Sequence, residues 1–140
     1  MPTIQRQDIR PLINRIIAET PVTDIHTHLF TPCFGDRLLL WGIDELLTYH
    51  YLVAETFRWI DMDPAEFWAM SRIDRADLIW KVLFIEHSPI SEACRGVLTT
   101  LKRLGLDVAG RDLNAFRDFF SKISTDEYID LVLKTANVRQ

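Results

Sequence analysis

Apolar residues recur at three- and four-residue intervals near the start of the chain, at Ile9, Leu12, Ile13, Ile16 and Ile17. That spacing predicts an amphipathic helix over Asp8–Thr20. Pro11 then falls in its first turn, where a missing N–H is tolerated. After the breaker Pro21 the period changes to two. Val22, Asp24, His26 and His28 share one face of a β-like run, and Thr23, Ile25, Thr27 and Leu29 the other. A loop punctuated by Pro32 and Gly35 follows.

From Ile43 onward the pattern is helical almost throughout. Ile43, Leu46, Leu47, His50, Val53, Ala54 and Phe57 mark one face of a helix reaching about Ile60. Asp63-Pro64-Ala65-Glu66 reads as a helix start with an Asp cap, and that helix is short, ending near Met70. Another runs from about Arg72 to Ile85. Ser88-Pro89 opens the next, which closes at Gly105 behind Lys102 and Arg103. Asp112–Ser121 and Thr125–Thr135 complete the set, with a capping box at Ser124-Thr125-Asp126-Glu127.

One strand among helices has nothing to pair with, because its backbone groups need partners. Two explanations are open. The chain is an all-α domain with an extended connector, or a truncated α/β protein whose later strands pair with this one.

Composition narrows the choice little but removes several function classes. The 140 residues are 48% hydrophobic, sufficient for one domain with a core. The net charge of −4 and the lack of a Lys/Arg cluster argue against nucleic acid as a partner, and a membrane surface is no better supported. Cys33 and Cys94 stand far apart without a C-x-x-C pattern, which suits a reduced compartment. No signal-like leader or membrane-length apolar run is present, so a cytoplasmic location is expected.

The candidate chemistry centres on Asp24-Ile25-His26-Thr27-His28. Two imidazoles at i and i+2 of a strand lie roughly 6.5 Å apart at the backbone and can converge on one metal ion. The plainer reading is a pair of histidines hydrogen-bonded in a strand-to-loop turn. Asp24, on the same face, either orients an imidazole from behind or is a buried carboxylate with a structural partner. His50, four residues after Leu46, lies on or beside the buried face, as a core histidine or, with Tyr51, as a pair that binds hydroxyls and moves protons. Cys33 is a third soft ligand or a small apolar filler, and His87 faces helix-terminal carbonyls. Arg95 and Asp44 show no local constellation.

The run Pro21-Val22-Thr23-Asp24-Ile25-His26-Thr27-His28-Leu29-Phe30 is the most specific part of the chain. With Leu40-Trp41-Gly42-Ile43-Asp44-Glu45-Leu46-Leu47-Thr48-Tyr49-His50-Tyr51-Leu52, it resembles the N-terminal part of uronate (glucuronate) isomerases, of the amidohydrolase superfamily. The likeness continues through Ser88-Pro89-Ile90-Ser91-Glu92-Ala93-Cys94-Arg95-Gly96. It implies the N-terminal portion of a metal-dependent (β/α)8 TIM barrel in an α/β fold, the chain itself being mainly α. Residues 1–20 would form a helix, 21–30 the first barrel strand, 31–135 a helical insertion and 136–140 the start of a second strand.

By the same resemblance His26 and His28 are metal ligands, with zinc the usual ion, and His50 and Tyr51 lie against a bound hexuronate sugar acid. The reaction interconverts an aldose and a ketose, such as D-glucuronate and D-fructuronate. A barrel of this kind takes about 250 residues, so a fragment inactive alone is expected, with the missing barrel portion or a second copy as its partner. The better-known isomerases carry a His-Trp-Thr-His-like stretch near Ser88–Thr99, which this sequence lacks, and the particular uronate stays open. Two other readings stand beside this one. The first is a different amidohydrolase-type metal hydrolase, which an immediate β/α alternation after His28 would favour. The second is a non-enzymatic helical module, a remnant or one piece of a split protein.

Overall fold

A computed structural model describes residues 4–23, 25 and 42–138 of the chain. Asp24, His26, His28 and Cys33 lie outside the described residues. Helix α1 spans Arg6–Glu19, followed by α2 (Ile43–Leu47), α3 (His50–Thr56), α4 (Pro64–Ala69) and α5 (Arg72–Trp80). A π-helical segment, Lys81–Glu86, extends α5, and α6 (Glu92–Arg103), α7 (Leu113–Ser121) and α8 (Thr125–Thr135) complete the described part.

Helix starts are set by local chemistry. The Asp63 carboxylate accepts the Ala65 N–H at 2.7 Å with Pro64 just inside, and Asp112 accepts from Asn114 and Ala115. Ser124 and Glu127 form a reciprocal capping box, whose hydroxyl and backbone hydrogen bonds hold the Glu127 carboxyl below its usual range. Gly105, at φ +83°, ends α6 in a Schellman turn: its N–H reaches the Lys102 carbonyl, and the Leu106 N–H reaches that of Leu101.

Four boundaries differ from the sequence expectation. α1 begins at Arg6, so Pro11 sits inside the helix, beyond the first turn. The helix expected from Ile43 to Ile60 is two helices, because Tyr49 adopts an extended backbone (φ −66°, ψ 142°). α5 leaves α-helical hydrogen bonding after Trp80 and continues as a π turn, a change with no Gly or Pro to announce it. Ser88-Pro89 does not open α6. The cap is Ser91, which accepts the Cys94 N–H at 3.1 Å.

The core gathers on α5 and its π extension, which pack against α2 and α3, while α2 meets α7 and α3 meets α6. Phe67, Phe84 and Phe116 are fully buried, each contributing about 1.5–3 kcal/mol of transfer free energy. Trp80 stacks on Phe84 at 4.5 Å and meets the edge of Phe116 at 5.6 Å, and its indole N–H donates to the Arg111 carbonyl. One cation ties three helices. Arg117 on α7 binds Asp44 of α2 through Nε (3.0 Å) and Nη2 (2.9 Å), and Asp77 of α5 at 2.7 Å. Burial opposes the guanidinium's charge, but the hydrogen bonds to Asp44 and Asp77 outweigh it and hold its pKa above the ordinary value.

α1 stands apart from this core. Its fourteen residues include none that is buried. Among the described residues Asn137, in the left-handed region at φ +56°, ties its C-terminal end to α8. The Asn137 N–H reaches the Lys134 carbonyl and the Val138 N–H that of Leu133, closing α8 as Gly105 closes α6. The Asn137 side-chain amide donates to the Thr20 carbonyl at 2.8 Å and to that of Ala18 at 3.4 Å. Its own carbonyl accepts the Val22 N–H at 2.9 Å, beside a parallel bridge between Val22 and Val138. Among the described residues this bridge is the sole β pairing, and no strand interrupts the helices between 43 and 135.

Three outcomes follow. Arg117→Ala lowers the unfolding free energy by about 1–3 kcal/mol in urea titrations, mostly by stranding the partly buried Asp44. Asn137→Gly keeps the α8 turn but releases α1, so hydrogen exchange accelerates in α1 and not in α8; equal acceleration in both would refute the link. Burial raises the Tyr128 phenol from its ordinary value near 10 to about 12. Its neutral form is the one the fold favours. The stability this contributes, about 2–3 kcal/mol, is intact below pH 10 and lost as pH rises through 12, a dependence that Tyr128→Phe removes.

Candidate functional site

The break between α2 and α3 builds the most chemically promising surface among the described residues. α2 stops at Thr48, whose N–H and hydroxyl both bond the Asp44 carbonyl. Tyr49 is then extended, and α3 restarts at His50 with a new register. A continuous helix would have placed His50 on or beside the buried face, as its spacing from Leu46 suggested. The restart instead turns it outward, and both His50 and Tyr51 are exposed, Tyr51 at 62%.

The two side chains are ordered by contact with each other and with Tyr49. The His50 ring lies 4.2 Å from that of Tyr49 and 4.1 Å from that of Tyr51, and the two tyrosines meet edge-on at 5.4 Å. Below them Leu52, Val53 and Thr56 anchor the same short helix in the core, and the Thr56 hydroxyl donates to the Leu52 carbonyl. The arrangement presents an imidazole and a phenol side by side on a fixed base. Such a pair can hydrogen-bond neighbouring hydroxyls.

A second link was not foreseen from sequence. Glu55, one turn along α3 from Tyr51, accepts a hydrogen bond from the Ser91 hydroxyl at 2.7 Å, clamping α3 to the start of α6. The buried Cys94 thiol sits 3.9 Å from the same carboxylate, and burial pushes its pKa up, so it acts as a filler there. The only advance signal was a Ser-x-x-Cys helix start, which the preceding Ser88-Pro89 obscured.

The remaining candidates take structural parts. His87 Nδ1 lies 2.7 Å from the Val82 carbonyl and its ring rests on Trp59 at 4.0 Å, in keeping with a histidine that serves helix-terminal carbonyls. Asp44 is committed to Arg117, and Arg95 is exposed on α6. Among the described residues no three His, Cys, Asp or Glu side chains cluster as metal ligands. No helix among them is long and apolar enough to cross a membrane.

Among solved structures, the chain matches a uronate isomerase from Bacillus halodurans C-125 at 55% sequence identity and a TM-score of 0.91. The match covers 98% of this chain and 32% of that one. The chain resembles about a third of a uronate isomerase. No protein-family model matches it, and no curated protein does. At 55% identity the likeness extends well beyond the fold, and the helical stretch that made a lone strand so puzzling has a counterpart in that isomerase.

If His50 and Tyr51 are surface groups held ready for a ligand, removing them leaves the fold alone. His50→Ala and Tyr51→Ala each shift stability by less than about 0.5 kcal/mol, whereas Leu52→Ala beneath them costs about 2–5 kcal/mol. Chemical melts of the three variants check this.

Proposed function

We propose that the chain is the part of a uronate isomerase that supplies one wall of its site, and that the complete site interconverts a hexuronate aldose and its ketose, such as D-glucuronate and D-fructuronate. The observation that carries this is the 55% identity to a uronate isomerase across 98% of the chain. Since the chain spans about a third of that protein's length, the activity belongs to the larger assembly, and the chain alone is inactive.

In this reading His50 and Tyr51 bind the sugar acid's hydroxyls. His26 and His28 hold a divalent metal, zinc by preference, and Asp24 orients one of their imidazoles. The donor chemistry fits: neutral imidazoles are ordinary zinc ligands, and a catalytic zinc takes three protein ligands with a position left open. Two histidines from one segment are thus an incomplete set, and the third ligand comes from outside it. When bound, the metal supplies a positive centre for the oxygen charge that develops during isomerisation. The reaction also moves a proton between C1 and C2, which needs a group of suitable pKa beside the sugar. Its counterpart is a proton moved between the hydroxyl and carbonyl oxygens, and in this reading His50 serves that separate transfer. The run of helices from 43 to 135, with no strand among them, disfavours the hydrolase alternative, which would place a β/α alternation there.

Replacing the matching third of the B. halodurans enzyme with this chain tests the assignment. The chimera should convert D-glucuronate to its ketose, with kcat/KM falling about 100-fold or more in His50→Ala. Activity should also vanish on chelation and in His26→Ala. A chimera that melts cooperatively yet acts on no hexuronate refutes the proposal.

A further inference from the structure

The short helix that carries His50 and Tyr51 is anchored from two sides, and the two anchors fix different things. Leu52, Val53 and Thr56 bury its inner face. Apolar burial is non-directional, so it sets the depth of α3 and leaves the roll about its own axis loosely held. Direction comes from Glu55. Its Oε2 accepts the Ser91 hydroxyl at 2.7 Å, and the Cys94 thiol lies 3.9 Å from the same oxygen. Glu55 is half-buried and, among the described residues, has no cationic partner. A short hydrogen bond depends on angle as well as distance, so this one holds the roll.

Glu55 and Tyr51 stand four residues apart on one flank of α3, so whatever turns the one turns the other. Side chains reach about 5–6 Å from a helix axis, and a roll of about 10° therefore carries their outer atoms about 1 Å. A misplacement of about 1 Å, caused at a distance, can cost on the order of 100-fold in rate. Ser91 uses its hydroxyl twice. It donates to Glu55 and accepts the Cys94 N–H at 3.1 Å, so one group both clamps α3 and caps α6. An aspartate there would cap equally well but could not donate.

We infer that Glu55 and Ser91 are positioning residues for the sugar-binding pair: their hydrogen bond sets the roll of α3, and with it where His50 and Tyr51 meet the substrate's hydroxyls. The inference rests on the functional reading above for the identity of that substrate. Both residues act through α3 and not by touching the sugar.

The test reads the pair in two ways. In the 140-residue chain, the NMR resonances of the His50 ring report its place between the Tyr49 and Tyr51 rings, which lie 4.2 and 4.1 Å from it. In the chimera with the B. halodurans enzyme, kcat and KM for D-glucuronate report its use. Ser91→Asp keeps the cap and breaks the clamp, and Glu55→Met removes the acceptor and leaves the cap. Each should move the His50 resonances and lower kcat/KM about tenfold or more. Ser91→Asp/Glu55→Gln rebuilds the bond with donor and acceptor exchanged. It should restore the resonances and bring kcat/KM back to within about threefold of the parent. Phe120→Leu, in the core of α7, lowers the melt and should move neither reading, which separates position from stability. Resonances indifferent to both single variants, or a loss that the exchanged pair does not restore, overturn the inference. So does an active chimera whose kcat/KM stays constant while the resonances move. A chimera that converts no hexuronate, although the resonances move and return, refutes the functional reading and leaves the orientation of the pair standing.

Discussion

The helical body is organised by one constraint: the rod formed by α5 and its π extension must be enclosed on nearly every side. Ala76, Ile79 and Trp80 are buried, and so are the three successive residues Val82, Leu83 and Phe84. Even in the wider π turn successive positions fan around the axis, so three in a row cannot face one neighbour. α2, α3 and α7 are short because each needs to cover only one strip of this rod and its surroundings. Enclosing it brings polar groups inward, and those of Trp80 and Arg117 find partners. The Trp80 indole N–H finds the Arg111 carbonyl, and Arg117 answers both Asp44 and Asp77.

The outward pair on α3 depends on this arrangement. Seven residues do not hold a helix by themselves, yet α3 is fixed by Leu52, Val53 and Thr56 against the rod and by Glu55 against Ser91. Tyr49, His50 and Tyr51 therefore stand on a base that is already ordered. Their mutual ring contacts remove much of the rotamer freedom that a ligand would otherwise have to restrict. Side chains ordered in this way pay less on binding any ligand than independent surface side chains would.

What the sequence disclosed follows from how local each determinant is. The caps at Asp63, Asp112 and Ser124 were legible because donor and acceptor lie within three residues. The true start of α6 was not. Ser88 followed by Pro89 and Ser91 followed by Glu92 are both respectable caps, and the choice fell to Ser91, whose hydroxyl also meets Glu55 from another helix. The break at Tyr49 left no Gly or Pro behind, so apolar periodicity ran through it and placed His50 on or beside the buried face. The residue pair His50–Tyr51 was singled out from the sequence, the resemblance supplied a ligand for it, and its exposure came only from the fold. His26 and His28 remain an argument from pattern, since they lie outside the described residues.

The same periodicity at α1 has the opposite lesson. Its stripe is weaker than that of α6 or α7 but plain, and apolar spacing states only that a helix has a face to bury, not which residues bury it. In the helical body the statement and its fulfilment coincide, so Val97, Leu101, Phe116 and Phe120 are buried. In α1 they separate: four isoleucines at half exposure forgo about half of the 1.5–3 kcal/mol that burying each would contribute. Among the described residues, the Asn137 hydrogen bonds and the Val22–Val138 bridge tie down the end of this helix. The chain thus divides energetically into a body that satisfies its own pattern and a leading helix that does not, and the histidine segment connects the two. Its ends are set by Val22, beside Asn137, and by Gly42 at the start of α2.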